Sequence, residues 1–444
     1  MKRKVRFIHT ADIHLGSLLH IAGSLTEKMD RLVREATLVA FRRICDAAIY
    51  YDIDFLIIAG DLYDDKARSV KANHYFIKQC QRLQEKGTQI YIIYGNHDPL
   101  RKEGELFRVP DNVHIFGSEK AGCREYITEN GVVIANILGQ SYRSSAESRK
   151  MYSSFNPSNQ DTINIGILHT QLDRENNNYV PCSYRDLSSK EGIDYWALGH
   201  IHSRNILSQA HPVIAYPGIP QARDFGELGP GGCLLVEMDG KQKTNIQFIP
   251  IASLIFRRIE IDLNQTEEPI KNISQLEELI IQRGEELLAQ GPDLPENVVD
   301  DFHRSNTFEG FAVQWMLTGR NQLHHLLMEQ EEETVQLLVN NLQTYFEGRD
   351  KILWTDSIRI RTAAPFPDLD LLKENDPIFN EIEEVVSSIE REELTAQLGQ
   401  IWDEDVDPEK MDEFKYQLDQ ETLEMIIDQA KELVIEKLLE SRDQ

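Results

Sequence analysis

The chain has 444 residues, 41% hydrophobic, 8% aromatic and 27% charged, with a net charge of −27. That length exceeds what one hydrophobic core organises, so two or three domains are expected. No apolar stretch approaches the ~18 residues of a membrane span, and the basic start Met1-Lys2-Arg3-Lys4 lacks the apolar core of a signal peptide.

The five cysteines are odd in number and scattered, with no Cys-x-x-Cys, which fits reduced thiols in a cytoplasm better than a disulfide framework. The charge is unevenly placed. Residues 1–250 carry 30 Lys and Arg against 29 Asp and Glu, which leaves 17 against 45 for residues 251–444. The neutral front part can meet phosphates through bound cations. The acidic rear is a poor nucleic-acid binder by itself, because phosphate neutralisation dominates that affinity. It suits solubility or a basic protein surface.

In chain order, five apolar runs of strand character each end in Asp, His or Asn. Residues 5–8 lead into Asp12-Ile13-His14, 55–59 into Gly60-Asp61, and 90–94 into Gly95-Asn96-His97-Asp98. Residues 163–168 lead into His169, and 195–198 into Gly199-His200-Ile201-His202. Helical spacing of apolar residues over 32–51 and 70–86 separates the first runs, so α/β packing is expected over 1–250. Residues 208–250 read as short strands around a glycine-rich loop at 226–232. From 255 the pattern becomes strand (256–263), helix (273–289), strand (311–317), helix (332–346), strand (354–362): a small α/β domain. Prolines 365, 367 and 377 mark a linker, followed by acidic helical sequence. There Leu423, Ile426, Ile427, Ala430, Val434 and Leu438 form one stripe. The predicted division is 1–250, 251–362 and 363–444.

Open α/β sheets build sites beyond the carboxyl ends of their strands. Two carboxylates, one amide and four imidazoles delivered there suit two divalent ions roughly 3.5–4 Å apart. Such N and O donors match manganese, iron or zinc, and the lack of thiolates argues against structural zinc. Each block alone is a weak signal, since a lone Asp-x-His is usually a turn. All five in sequence are not. His9 and His114 sit in apolar surroundings and read as packed side chains. His20, His74, His211 and His303 have no partner motif, and the His324-His325 pair reads as surface. No Gly-Lys-Ser/Thr P-loop occurs, so any ATP dependence must come from a partner.

The series Asp12-x-His14, Gly60-Asp61-x-x-Asp64, Gly95-Asn96-His97-Asp98, His169 and Gly199-His200-x-His202 resembles the calcineurin-like metallophosphoesterases. Its wording, with Tyr216-Pro217-Gly218 and Asp224-Phe225-Gly226-Glu227 further on, resembles the SbcD-type DNA-repair nucleases over roughly residues 5–240. The resemblance implies a β-sandwich flanked by helices, a capping domain, and C-terminal helices that bind an SbcC-like coiled-coil ATPase. It implies one ion on Asp12, His14, Asp61 and His202, and a second on Asp61, Asn96, His169 and His200, most often Mn²⁺. His97 matches the family's catalytic histidine, and homodimerisation is also implied.

Some relatives carry His where this chain has Asp64. Asp64 either orients His97 or a water, or caps the next helix. Arg204 and Arg223 are candidate phosphate contacts. The expected activity is hydrolysis of DNA ends, 3′→5′. Its rivals are a phosphoesterase for small or protein substrates and a scaffold that keeps a metal for stability. The last helix either docks the ATPase or packs on its own domain; the proline linker and acidic background favour docking.

Overall fold

The computed structural model describes residues 4–64, 69–100, 108–128, 130–157, 162–173, 178–241, 243–266, 268–299, 308–365, 377–389, 391, 394 and 420–440. His303 and residues 366–376 of the proline segment lie outside them. Two compact units emerge, one from residues Met1–Asp262, Lys271–Thr318 and Gln330–Arg361, the other from Leu263–Ile270, Gly319–Glu329 and Thr362–Gln444.

The first unit contains two six-stranded sheets. One holds β1 (Lys4–Thr10), β2 (Phe55–Ala59), β3 (Gln89–Ile93) and β4 (Val113–Ile115), all parallel, extended by antiparallel β11 (Gly232–Asp239) and β12 (Lys243–Pro250). The other has parallel β6 (Val133–Gly139), β7 (Ile163–His169), β8 (Tyr195–Gly199) and β10 (Val213–Tyr216), with β5 (Gly122–Ile127) and β9 (Asn205–Ser208) antiparallel at its edges.

Side chains alternate across each strand. Phe55, Ile57 and Ala59 therefore enter the core between the sheets with Phe7, Ile165 and Tyr195. Leu56 and Ile58 enter the outer core, beneath helices α1 (Glu27–Tyr50) and α2 (Val70–Gln84). Both faces of the central strands are covered, which is why they read as unbroken apolar runs. On the far side, Trp196 and Leu198 pack with Phe155 and with Leu187 of α3 (Tyr184–Ser188). The result is the expected β-sandwich flanked by helices.

Two expectations need correction. The first helix starts five residues before 32, because Thr26 caps it: its side chain accepts from the Met29 N–H at 3.3 Å. The regular strand–helix alternation also breaks after β3. β4, β5 and β6 follow one another, and no α-helix lies between β3 and β7 among the described residues.

The next segment forms a parallel pair, β13 (Leu254–Asp262) with β14 (Gly310–Arg320), in a three-stranded sheet completed by β15 (Ile352–Ala363). Helices α4 (Ile273–Gln290) and α6 (Glu331–Phe346) accompany it, together with a short α5 (Leu323–Glu329) that carries the adjacent His324 and His325 in its first turn. Leu254, Phe256, Ala312 and Trp354 of this sheet share a core with Met29, Leu32, Val33 and Ala36 of α1. In the second unit, His324 Nδ1 lies 3.0 Å from Thr362 Oγ1 while His325 is exposed. Its helices Pro377–Ser388 and Gln420–Glu440 line an apolar groove of about 610 Å³.

Candidate metal centre

The parallel strands of both sheets end at one cleft. β1, β2 and β3 deliver Asp12 and His14, Asp61, and Asn96; β7 and β8 deliver His169, and His200 with His202. The chain leaves these strands through left-handed backbone: φ is 52° at Asp12, 46° at His14, 49° at Asp61 and 98° at His200. These are four of the seven described non-glycine residues with positive φ. A side chain in that region costs about 1–3 kcal/mol, and the strain is concentrated where donors must converge. Backbone bonds hold it: Asp12 N–H to Gly60 O at 3.0 Å, and His14 N–H to Asp61 O at 3.1 Å. Gly60 (φ 96°) and Gly95 are required, because a Cβ at either would collide with His169 or Asp61.

All seven expected donors meet there. His169 Nε2 lies 3.3 Å from Asp61 Oδ2 and 3.0 Å from Asn96 Oδ1, which is also 3.0 Å from His200 Nδ1. His202 Nε2 is 3.7 Å from Asp12 Oδ1. Within the sets Asp12–His14–His202 and Asp12–Asp61–His169, potential donor atoms lie within 4.8 Å of one another. Burial pushes His14 well below its ordinary range, the nearby Arg223 adding to it. Among the described residues neither of its buried ring nitrogens has a hydrogen-bond partner, a cost that a cation would relieve. Burial first, then His169, pushes His200 down to about 3. His169 is drawn the other way: burial opposes its charge, but Asp61 prevails and raises it to about 9. The donor chemistry fits divalent cations.

His97 stands at the cleft with its side chain 41% exposed, while its N–H donates to Asp61 Oδ1 at 2.9 Å. Asp64 Oδ1 is 3.6 Å from His97 Nδ1. Asp64 does not cap α2; Ser69 does, accepting from the Ala72 N–H. Arg223 lies beside Asp64 and Glu227. Arg204 is exposed, its guanidinium 5.5 Å over the Phe248 ring, and shares a cavity of about 380 Å³ with His202 and Glu227.

Two contributors have no assigned role in the sequence reading. Glu227 accepts from His202 Nδ1 at 2.6 Å, and Asp98 accepts from two loop N–H groups. Both stood inside the motifs Asp-Phe-Gly-Glu and Gly-Asn-His-Asp, which was the available signal. The remaining histidines among the described residues are structural or peripheral. His9 is fully buried between Tyr195 Oη (3.0 Å) and Leu198 O (3.1 Å), His114 stacks on Tyr91, and His211 lies 3.4 Å from Asp194.

A helix-flanked double sheet whose parallel strands converge on such donors defines a metal-dependent phosphoesterase. Comparison with known proteins agrees. The calcineurin-like phosphoesterase model matches residues 5–204. The chain is 33% identical to the "Uncharacterized metallophosphoesterase YhaO" of Bacillus subtilis, over 75% of this chain and 79% of that one. It is 27% identical to the DNA double-strand break repair protein Mre11 of Methanopyrus kandleri, over 56% and 57% of the two chains. With the SbcD subunit of the nuclease SbcCD of B. subtilis it shares 26% identity over 51% and 64%. The chain belongs to the calcineurin-like phosphoesterase family. It is therefore a hydrolase, of a family that works with divalent metal ions.

Proposed function

We propose that this protein is a Mn²⁺-dependent DNA exonuclease that hydrolyses phosphodiesters at DNA ends, 3′→5′, in the cytoplasm. The observation that carries the reading is the seven-donor cleft with His97 at its mouth, in a chain similar to one protein named for DNA double-strand break repair and another named as a nuclease subunit. One ion belongs to Asp12, His14, Asp61 and His202, the other to Asp61, Asn96, His169 and His200. Ions held there supply Lewis acidity, which makes water nucleophilic near neutral pH and offsets phosphoryl charge. His97 holds the phosphate or gives a proton to the leaving oxygen, a role worth typically 10²–10⁴-fold. Asp64 orients it from 3.6 Å. Arg204, exposed at the rim, meets phosphates of the substrate strand.

Residues 1–250 form the nuclease segment, 251–362 the cap, and 363–444 the linker and the docking helices for an SbcC-like coiled-coil ATPase. The apolar groove between the helices Pro377–Ser388 and Gln420–Glu440 supports the docking role. The working form is a homodimer.

The deciding experiment is Mn²⁺-dependent degradation of an end-labelled linear duplex by purified protein, with Asp61→Asn and His97→Ala beside it. Degradation by wild type and loss in both variants is the expected result. Hydrolysis of a small phosphodiester without attack on DNA, alone or with the ATPase, would move the substrate class to small esters.

A further inference from the structure

One arginine connects two of the cleft's histidines. His202 Nδ1 meets Glu227 Oε1 at 2.6 Å, and Arg223 Nη2 donates to that same oxygen at 3.1 Å. The other carboxylate oxygen accepts from the Arg223 backbone N–H at 2.6 Å. The second arm, Arg223 Nη1, lies 3.6 Å from Asp64 Oδ2, and Asp64 Oδ1 lies 3.6 Å from His97 Nδ1. We propose that Arg223, clamped between Glu227 and Asp64, is a positioning bracket that sets the His202 ring against the His97 ring. The proposal rests on the reading above, in which His202 holds an ion and His97 faces the reacting phosphate.

The surroundings favour a bracket over a phosphate contact. The side chains of Arg223 and Glu227 are only 15% and 10% exposed, so their pairing is little weakened by water. Both guanidinium arms face carboxylates, and the remaining donor, Nε, is buried. Little of the group is left to meet an incoming strand. The loop itself is fixed: His20 N–H donates to Arg223 O at 2.7 Å, and Glu227 N–H to Asp224 O at 3.1 Å.

Glu227 also fixes the tautomer of His202. A carboxylate on Nδ1–H leaves Nε2 as the free donor, and that is the nitrogen facing Asp12. His14, Asp64 and His97 also bring potential donor atoms within 4.8 Å. The guanidinium beside Asp64 already supplies positive charge there, which makes Asp64 an arginine partner. Only a rigid fork can face two carboxylates at once, so lysine does not substitute for it.

The test uses the full chain, with Mn²⁺ titration by calorimetry and bis(p-nitrophenyl) phosphate as substrate. Glu227→Gln is expected to weaken one of two Mn²⁺ sites by roughly 10–100-fold and to spare the other. Arg223→Lys should lower kcat at saturating Mn²⁺ about tenfold or more, with KM little changed. Asp64→Asn and Glu227→Gln, whose carboxylates both face Arg223, should combine to less than the product of their separate effects on kcat.

Two intact Mn²⁺ sites in Glu227→Gln, or multiplicative effects in the double variant, would overturn the bracket. So would an Arg223→Lys enzyme with raised KM, unchanged kcat and unchanged Mn²⁺ affinity, which is the signature of a phosphate contact. If Arg223→Lys does not fold, the Asp64–Glu227 pair carries the same decision. A folded wild type that binds fewer than two Mn²⁺ ions overturns the metal assignment itself, and the bracket with it.

Discussion

Asp98 Oδ2 accepts a hydrogen bond from the backbone N–H of Tyr63 at 3.0 Å, joining the loop after β3 to the loop after β2. Its other oxygen accepts from Gly95 N–H at 2.8 Å. Asp98 is buried, and burial together with Asp61 pushes its carboxyl well above the usual range. The site thus keeps a costly carboxylate in order to hold two loops that each carry a donor. Asp98→Ala strands two buried N–H groups, each costing about 1–3 kcal/mol. We expect a loss of about 2–4 kcal/mol in urea unfolding, and a smaller one for Asp98→Asn, which keeps one acceptor. An unchanged midpoint would mean that the loops hold themselves.

His9 makes stability depend on pH. Burial drives it down to about 3, against a weaker upward pull from the Leu198 carbonyl. Below about 6.5 the unfolded chain binds a proton there that the folded chain refuses until about 3. The contribution is therefore whole above pH 6.5 and declines as pH falls through that window, by about 1.4 kcal/mol per pH unit. His9→Gln should flatten the dependence of unfolding free energy on pH by about that slope, measured in metal-free protein. Parallel curves for variant and wild type would show that His9 titrates alike in both states.

What the sequence revealed follows from burial. β2 is Phe-Leu-Ile-Ile-Ala with every residue buried, so it reads as a strand without help from its neighbours. The donor blocks sit at or just beyond the ends of largely buried strands, and local spacing pointed to the seven residues that the structure brings together at the cleft. Edge strands were harder. β5, Gly-Cys-Arg-Glu-Tyr-Ile, is exposed over Cys123, Arg124 and Glu125 and carries no apolar run. β12 likewise mixes lysine, threonine and asparagine with its apolar residues. The links among Glu227, Arg223, Asp64 and His202 were invisible for another reason. Apart from Arg223 with Glu227, which are four residues apart, they join residues 25 or more apart in sequence through contacts that no local pattern encodes, such as His202 with Glu227. The role of Asp64 became readable only once Ser69 proved to be the cap of α2.

Gly95 separates close packing from chemistry. A Cβ there would run into Asp61 Oδ1 and stand 2.7 Å from His169 Nε2. The backbone at Gly95 does not need positive φ, so Gly95→Ala leaves the turn itself accessible and displaces only the two donors. We expect Mn²⁺ affinity to fall about tenfold or more, the order seen when ligand orientation is disturbed, with far-UV circular dichroism unchanged. Wild-type affinity in calorimetry would place the ions away from the Asp61–His169 pair.

The proposed partner surface can be tested without touching the cleft. Val385 and Val434 line the groove between the two last helices and are 61% and 47% exposed. A substitution at either should cost the folded chain little, since exposed positions usually change stability by less than about 0.5 kcal/mol. Burying an unpaired aspartate against an apolar partner segment costs several times that. Val385→Asp and Val434→Asp should therefore each abolish co-purification with the co-expressed ATPase, while Mn²⁺-dependent hydrolysis of a small phosphodiester continues at the wild-type rate. Retained association in both variants would leave this groove to the internal packing of the helix pair and move the docking surface elsewhere on the chain.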